Sequence, residues 1–383
     1  MSETQSGQGS ADVAEGVVSL PSRRFHELDA LRAFAMLLGI VLHTALFFMP
    51  DAWSKAYSAE GYPAEISGIY TLLFFAIHGF RMPVFFLLSG FFTALLWQRR
   101  GLRQLAIQRL KRIGLPLAIG AFTVIPITTF AFLCAFDVEE ASLFWWPFIW
   151  LETLSHLWFL WFLLWLCAGF ILAAKLGVKF DNPIIWWLAI PLTLVPQLLM
   201  HEPVFGPDTS DGLFFNPIVL AYYVPFFVFG VFLYQRDIQV SHWWTLALLP
   251  ALTVVLFSGL TLLYDVKEDW AKPLADVFQV AFAWLMCFGL MGLFRLIAAR
   301  ERSWVRYLSD ASYWLYLWHL ALIVIAFELL VDWQVSVHLK FTGMVVGVTV
   351  ILLVVYQFGV RYTPVGTMLN GKRTPTRSAY RVG

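Results

Sequence analysis

The chain has 383 residues, 60% of them hydrophobic and only 13% charged, where a soluble domain carries about 25% charged residues. Too little polar surface is available to clothe a water-soluble fold, so lipid must be the solvent and a soluble globular protein is excluded. The net charge of +1 says little, because the order of signs along the chain carries more information than their sum.

In chain order, the first 22 residues are small and polar, without the basic and apolar regions of a signal peptide, and read as a disordered cytoplasmic tail. Apolar runs of about 20 residues, the length a bilayer demands, then fall near 28–49, 69–97, 113–134, 147–175, 184–200, 214–234, 243–264, 274–298, 311–331 and 340–361. They predict an all-α, polytopic transmembrane helical bundle of ten spans, its membrane domain covering 23–362. The second and fourth runs are long enough to be tilted or broken. A basic cytoplasmic tail is expected over 363–383.

The loops alternate in sign. Arg23 and Arg24 precede the first run, and Asp51, Glu60 and Glu65 follow it. The next loop, "QRRGLRQLAIQRLKR", is basic throughout, and Asp137, Glu139 and Glu140 lie beyond the third run. The pattern continues to Asp265, Glu268 and Asp269, then Arg295, Arg300, Arg302 and Arg306. The positive-inside rule therefore puts both termini in the cytoplasm, which an even number of spans requires. Cys134, Cys167 and Cys287 are too scattered for a disulfide framework or a metal site.

Polar residues within the runs are the chemically informative ones, because burying an ionisable group in a span costs a few kcal/mol or more. His43, His78, His156 and His319 stand out, with Arg81 in "HGFRMPVFFLLSGFF". Arg81 is the hardest to dismiss, since a guanidinium cannot escape by deprotonating. It shares a helical face with His78 three residues earlier. Pro83 beside it suggests a broken helix lining a hydrated cavity. His156 and His319 admit a plain reading, hydrogen-bonded helix packing, as readily as a substrate-binding one. Arg32 lies eleven residues before His43, about 16 Å along a helix, and by itself reads as a snorkelling anchor. A neutral His43 in a polar chamber suits a general base. The six cations of the 98–112 loop serve either as topology signals and lipid contacts or as a cradle for phosphates. No phosphate-binding glycine loop is present, and no nucleic-acid partner is indicated.

Four motifs carry a family resemblance. "LDALRAFAMLLGIVLH" places Arg32 ten residues before His43; "VFFLLSGFF", "RLKRIGLP" with Arg109 and Arg112, and "SYWLYLWH" ending in His319 follow in order. Together they resemble the integral membrane acyltransferases of acyltransferase family 3. The stretches "FRMPVFFLLSG", "SHLWFL", "DGLFFN" and "YYVPFFVFG" are most similar to the glucans biosynthesis protein C group. The resemblance implies a bacterial inner-membrane enzyme that moves an acyl group, succinyl in that group, from cytoplasmic acyl-CoA to a periplasmic glucan hydroxyl. It implies no permanently bound cofactor, acyl-CoA being a co-substrate. On that reading His43, Arg32, Arg81 and His78 are catalytic. Arg109, Arg112 and Arg32 hold the acyl-CoA phosphates, and His156 and His319 bind substrate. The competing expectation is a transporter or flippase for a glycan or lipid-linked substrate, which ten spans and intramembrane charge also suit.

Overall fold

A computed structural model describes residues 25–49, 68–135, 146–202, 204–330 and 332–371. Among them the chain is helical, without a strand. In order come α1 (His26–Leu46), α2 (Gly68–Arg109), α3 (Leu115–Phe122), α4 (Val124–Ala135), α5 (Trp158–Lys175) and α6 (Ile184–Leu198). These are followed by α7 (Pro217–Gln235), α8 (His242–Tyr264), α9 (Ala271–Ile297), α10 (Ser303–Leu330), α11 (Val337–Val360) and the short α12 (Pro364–Asn370). Eight helical segments among the described residues are long and apolar enough to cross a membrane. The longest, Gly68–Cys134, holds two of the predicted spans in its 67 residues, and every predicted span falls on helix. One is short: the 15 residues of α6 reach about 22 Å, less than the ~30 Å hydrocarbon core.

Apolar side chains cover both the interior and the perimeter, as lipid solvation requires. Phe86, Tyr222, Tyr223 and Phe226 are sealed inside, while Trp187, Leu249 and Phe358 face outward on the rim. The centre is a close crossing of α2 with α7. A Cβ at Gly90 would strike the carbonyl oxygen of Phe227, and one at Gly230 would strike that of Leu87. Two helices with no hydrophobic force between them in lipid gain from such backbone approach through van der Waals contact. The Gly90–Gly230 crossing fixes the helix that carries His78 and Arg81.

Of three expectations, two are corrected and one holds. First, α2 runs through Pro83 without a break. A proline removes one helical hydrogen bond, but its φ suits a helix, and neighbouring helices tolerate the loss at membrane depth. The non-helical residue inside α2 is Gly101, with φ 75° and ψ 171°. Its positive φ turns the chain back, so that Arg109 donates to Thr93 at 2.7 Å. Residues sixteen apart on a straight helix would lie about 24 Å from each other. Second, the fourth run is broken as expected: short 3-10 turns at Trp146–Leu151 and Ser155–Leu157 precede α5. Third, the stretch expected as a loose tail begins with α12, whose Leu369 is buried and whose Asn370 donates to the Asp310 carbonyl at 2.6 Å. The expected tail at 1–22 and the remainder beyond residue 371 lie outside the described residues.

Replacing Gly90 with Leu forces the α2–α7 crossing apart. An overpacked contact of this kind costs about 1–3 kcal/mol, and the expected outcome is a fall of several degrees in the apparent melting temperature of the detergent-solubilised protein, followed by fluorescence-detected size exclusion.

Candidate active site

Two cavities open at opposite ends of the bundle. One, of about 340 Å³, is lined by Arg32, Arg109, Arg112, Arg300, Arg302 and Arg306. The other, of about 410 Å³, is lined by His43, His78, Arg81, His156 and His319. Both count Met36, Phe85 and Phe159 in their walls, so three apolar side chains form the partition between them.

The histidine cavity gathers residues from six segments of the chain. The His319 ring sits 5.1 Å from that of His43 and 5.1 Å from that of His156, centroid to centroid. His78 stacks on Phe74 at 5.4 Å. Carbonyl partners assign the tautomers, because a carbonyl oxygen can only accept. His319 Nδ1–H donates to the Tyr316 carbonyl at 2.7 Å, His156 Nε2–H to Leu317 at 3.0 Å, and His78 Nε2–H to Pro207 at 2.9 Å. In the neutral rings the opposite nitrogens therefore carry lone pairs. His319 Nε2 and His156 Nδ1 are buried and have no partner among the described residues. His43 makes no hydrogen bond to protein within that set, and its ring opens on the cavity.

Arg81 supplies the opposite chemistry. Its guanidinium lies across the backbone of α1, where a Cβ at Gly39 would overlap Nη1 and come within 3.6 Å of His319 Nε2. No carboxylate is paired with it among the described residues, and its Nε is buried without a partner. The cavity thus offers unpaired acceptors on His156 and His319, the untethered ring of His43, and the donor fork of Arg81. Such a site fits a ligand that gives up a proton at one atom and gathers negative charge at another.

The basic cavity is built differently. Arg109 is anchored on Thr93, which donates in turn to the Ser89 carbonyl at 2.7 Å; Arg109 Nε is buried and unpaired. Arg32 bonds Ser309 at 3.1 Å and Asp29 at 3.3 Å, and Arg112 donates to the Leu369 carbonyl of α12. Arginine excess over Asp29, Glu301 and Asp310 gives this wall a net positive charge.

The predicted residues therefore divide. His43, His78, Arg81, His156 and His319 share one cavity; Arg32, Arg109 and Arg112 share the other. Arg32 does not reach the histidines, because the helix separates it from His43 by about 16 Å. Of the two places the resemblance gave it, the structure puts Arg32 in the arginine wall with Arg109 and Arg112. Sequence reasoning missed Arg300, Arg302 and Arg306 as parts of that wall, since a basic loop is equally a topology signal. It also missed Gly39, whose need for a bare backbone depends on Arg81. No group of metal-ligating residues occurs among the described residues.

A helical membrane bundle with a polar cavity at each end and an apolar partition between them is the framework of a membrane-embedded transferase or carrier. Residues 25–357 match the family model described as "Acyltransferase domain", and the chain belongs to that family. It is a membrane acyltransferase. Relatives named "Glucans biosynthesis protein C" from Escherichia coli strains SMS-3-5, E24377A and K12 are each 26% identical, across 92% of this chain and 96% of their own length. No solved structure matches. Family membership favours group transfer over the transport alternative.

Gly39→Ala pushes Arg81 out of register with the histidines. A displacement near 1 Å costs about a hundredfold in rate. Transfer activity is expected to fall by that order while membrane insertion, followed by fractionation and immunoblot, stays intact.

Proposed function

We propose that this protein transfers a succinyl group from cytoplasmic acyl-CoA to hydroxyls of a periplasmic glucan across the bacterial inner membrane. The observation that carries the reading is the pair of cavities, arginine-lined and histidine-lined, meeting at Met36, Phe85 and Phe159. The names of the E. coli relatives support the glucan acceptor. The loop charges support a cytoplasmic position for the arginine cavity.

On this reading the acyl-CoA phosphates sit among Arg109, Arg112, Arg32 and the arginines of the α9–α10 loop. The pantetheine arm passes the apolar partition and brings the thioester to the histidines. His43 takes the proton of the glucan hydroxyl as its oxygen attacks the thioester carbon. Charge gathers on the carbonyl oxygen of the tetrahedral intermediate, opposite the Arg81 guanidinium. Collapse breaks the C–S bond, and the leaving thiolate takes the proton from the His43 imidazolium. The products are the glucan ester and free CoA, with atoms and charge balanced. His319 Nε2 and His156 Nδ1, both acceptors, hold neighbouring sugar hydroxyls. His78 steadies the acceptor side of Arg81. No acyl-enzyme is needed, because both substrates reach the same chamber from opposite ends.

Two measurements test this. Mass spectrometry of periplasmic glucans from cells carrying wild type, His43→Ala or Arg81→Leu should show a succinyl increment with wild type only, the substitutions costing about 10²–10⁴-fold and 10²–10³-fold. A different acyl increment would move the donor assignment; unmodified glucan in every strain would sink the acceptor assignment. In purified protein, Arg109→Gln should raise the acyl-CoA KM about tenfold or more, as loss of a charge-assisted contact does, with kcat little changed.

A further inference from the structure

Of two stretches singled out in the sequence, "SHLWFL" and "DGLFFN", only His156 and Phe159 have an assigned part in this chemistry, and the two stretches meet in the wall of the histidine cavity. Asp211 takes two hydrogen bonds from the segment before α5. Thr153 Oγ1–H donates to Asp211 Oδ2 at 2.7 Å, and the Leu154 N–H donates to the Asp211 backbone carbonyl at 2.6 Å. Thr153 Oγ1 also accepts from the Ser155 N–H at 2.8 Å. A second tie joins the same stretches, from the Trp161 indole N–H to the Leu213 carbonyl at 3.1 Å.

What these bonds hold is a strained residue. Ser155 has φ 45°, the left-handed region in which a side chain crowds the following carbonyl. Such a conformation persists only when its surroundings over-determine it. The next residue is His156, which is buried, with an unpartnered Nδ1 in the cavity wall. Its placement depends on the turn: its own carbonyl accepts from Tyr316 Oη at 2.7 Å while its Nε2–H reaches Leu317 at 3.0 Å. Relaxation of Ser155 to negative φ would rotate that peptide and break this pair of contacts. Ser155 and Asp211 themselves line the same cavity.

We propose that Asp211 and Thr153 are positioning residues for His156: their hydrogen bonds keep Ser155 left-handed, and that turn presents the His156 ring to the acceptor. The proposal rests on the reading of this cavity as the transfer site. It assigns a use to an exposed carboxylate that forms no ion pair among the described residues and lies off the spans.

The test uses the full chain in lipid nanodiscs, with Asp211→Ala, Asp211→Asn, and Asp211→Ala combined with Ser155→Gly. Two readouts are followed. One is the rate of His156 carbethoxylation by diethylpyrocarbonate, by mass spectrometry against the exposed His242 as internal reference. The other is kcat and KM for succinyl transfer from succinyl-CoA to glucan. Asp211→Ala should shift the His156 labelling rate and lower kcat about tenfold to a hundredfold, with the succinyl-CoA KM unmoved. Asp211→Asn, whose amide oxygen still accepts from Thr153, should retain most of both. Ser155→Gly, which adopts the left-handed conformation without strain, should restore labelling and kcat in the Asp211→Ala background. Wild-type labelling of His156 in Asp211→Ala, or no recovery with glycine at 155, overturns the proposal. A wild-type protein that transfers nothing refutes the transfer reading alone, because the labelling series still decides the clamp.

Discussion

A guanidinium inside a lipid-spanning bundle keeps its charge, and the structure around Arg81 follows from that constraint. The group cannot be neutralised cheaply, and no carboxylate pairs with it among the described residues, so it needs polar neighbours and room for a ligand. Gly39 clears the α1 backbone for it, His319 Nε2 stands beside it, and the 410 Å³ cavity gives it an opening. The Gly90–Gly230 crossing holds α2 rigid one to three turns further along. A buried charge left without a counterion is costly for folding and well suited to stabilising charge that appears only during reaction.

The same economy explains the histidines. Each of His78, His156 and His319 uses one nitrogen to bond a backbone carbonyl, which fixes its ring and leaves a lone pair at the other nitrogen. His43 has no such tether among the described residues and faces the cavity directly. Tethered acceptors suit the holding of hydroxyls, and an untethered base suits the exchange of a proton. The arginines are kept apart, at the other end of α1, where Arg109 is turned inward by the kink at Gly101. Met36, Phe85 and Phe159 then stand between the arginine-lined cavity and the histidine-lined one.

The sequence by itself determined the class of solvent, the helical spans and their alternating polarity, because hydrophobic length and loop charge are local properties of the chain. It also marked His43, His78, Arg81, His156 and His319, since an ionisable residue in an apolar run is costly wherever it ends up pointing. Only the tertiary structure decided which of them meet. His319 lies hundreds of residues from His43 in the chain but beside it in space, and Arg32, on the same helix as His43, faces a different cavity. Pro83, a local signal for a broken helix, was overridden by packing on all sides, whereas Gly101 and Ser155 break the helix path where no local pattern required it. The contacts that complete the site, Arg81 over Gly39 and Asp211 on Thr153, join residues 42 and 58 apart. Such pairings are set by how helices cross and loops fold back, and periodicity along one helix carries no record of its neighbour's register.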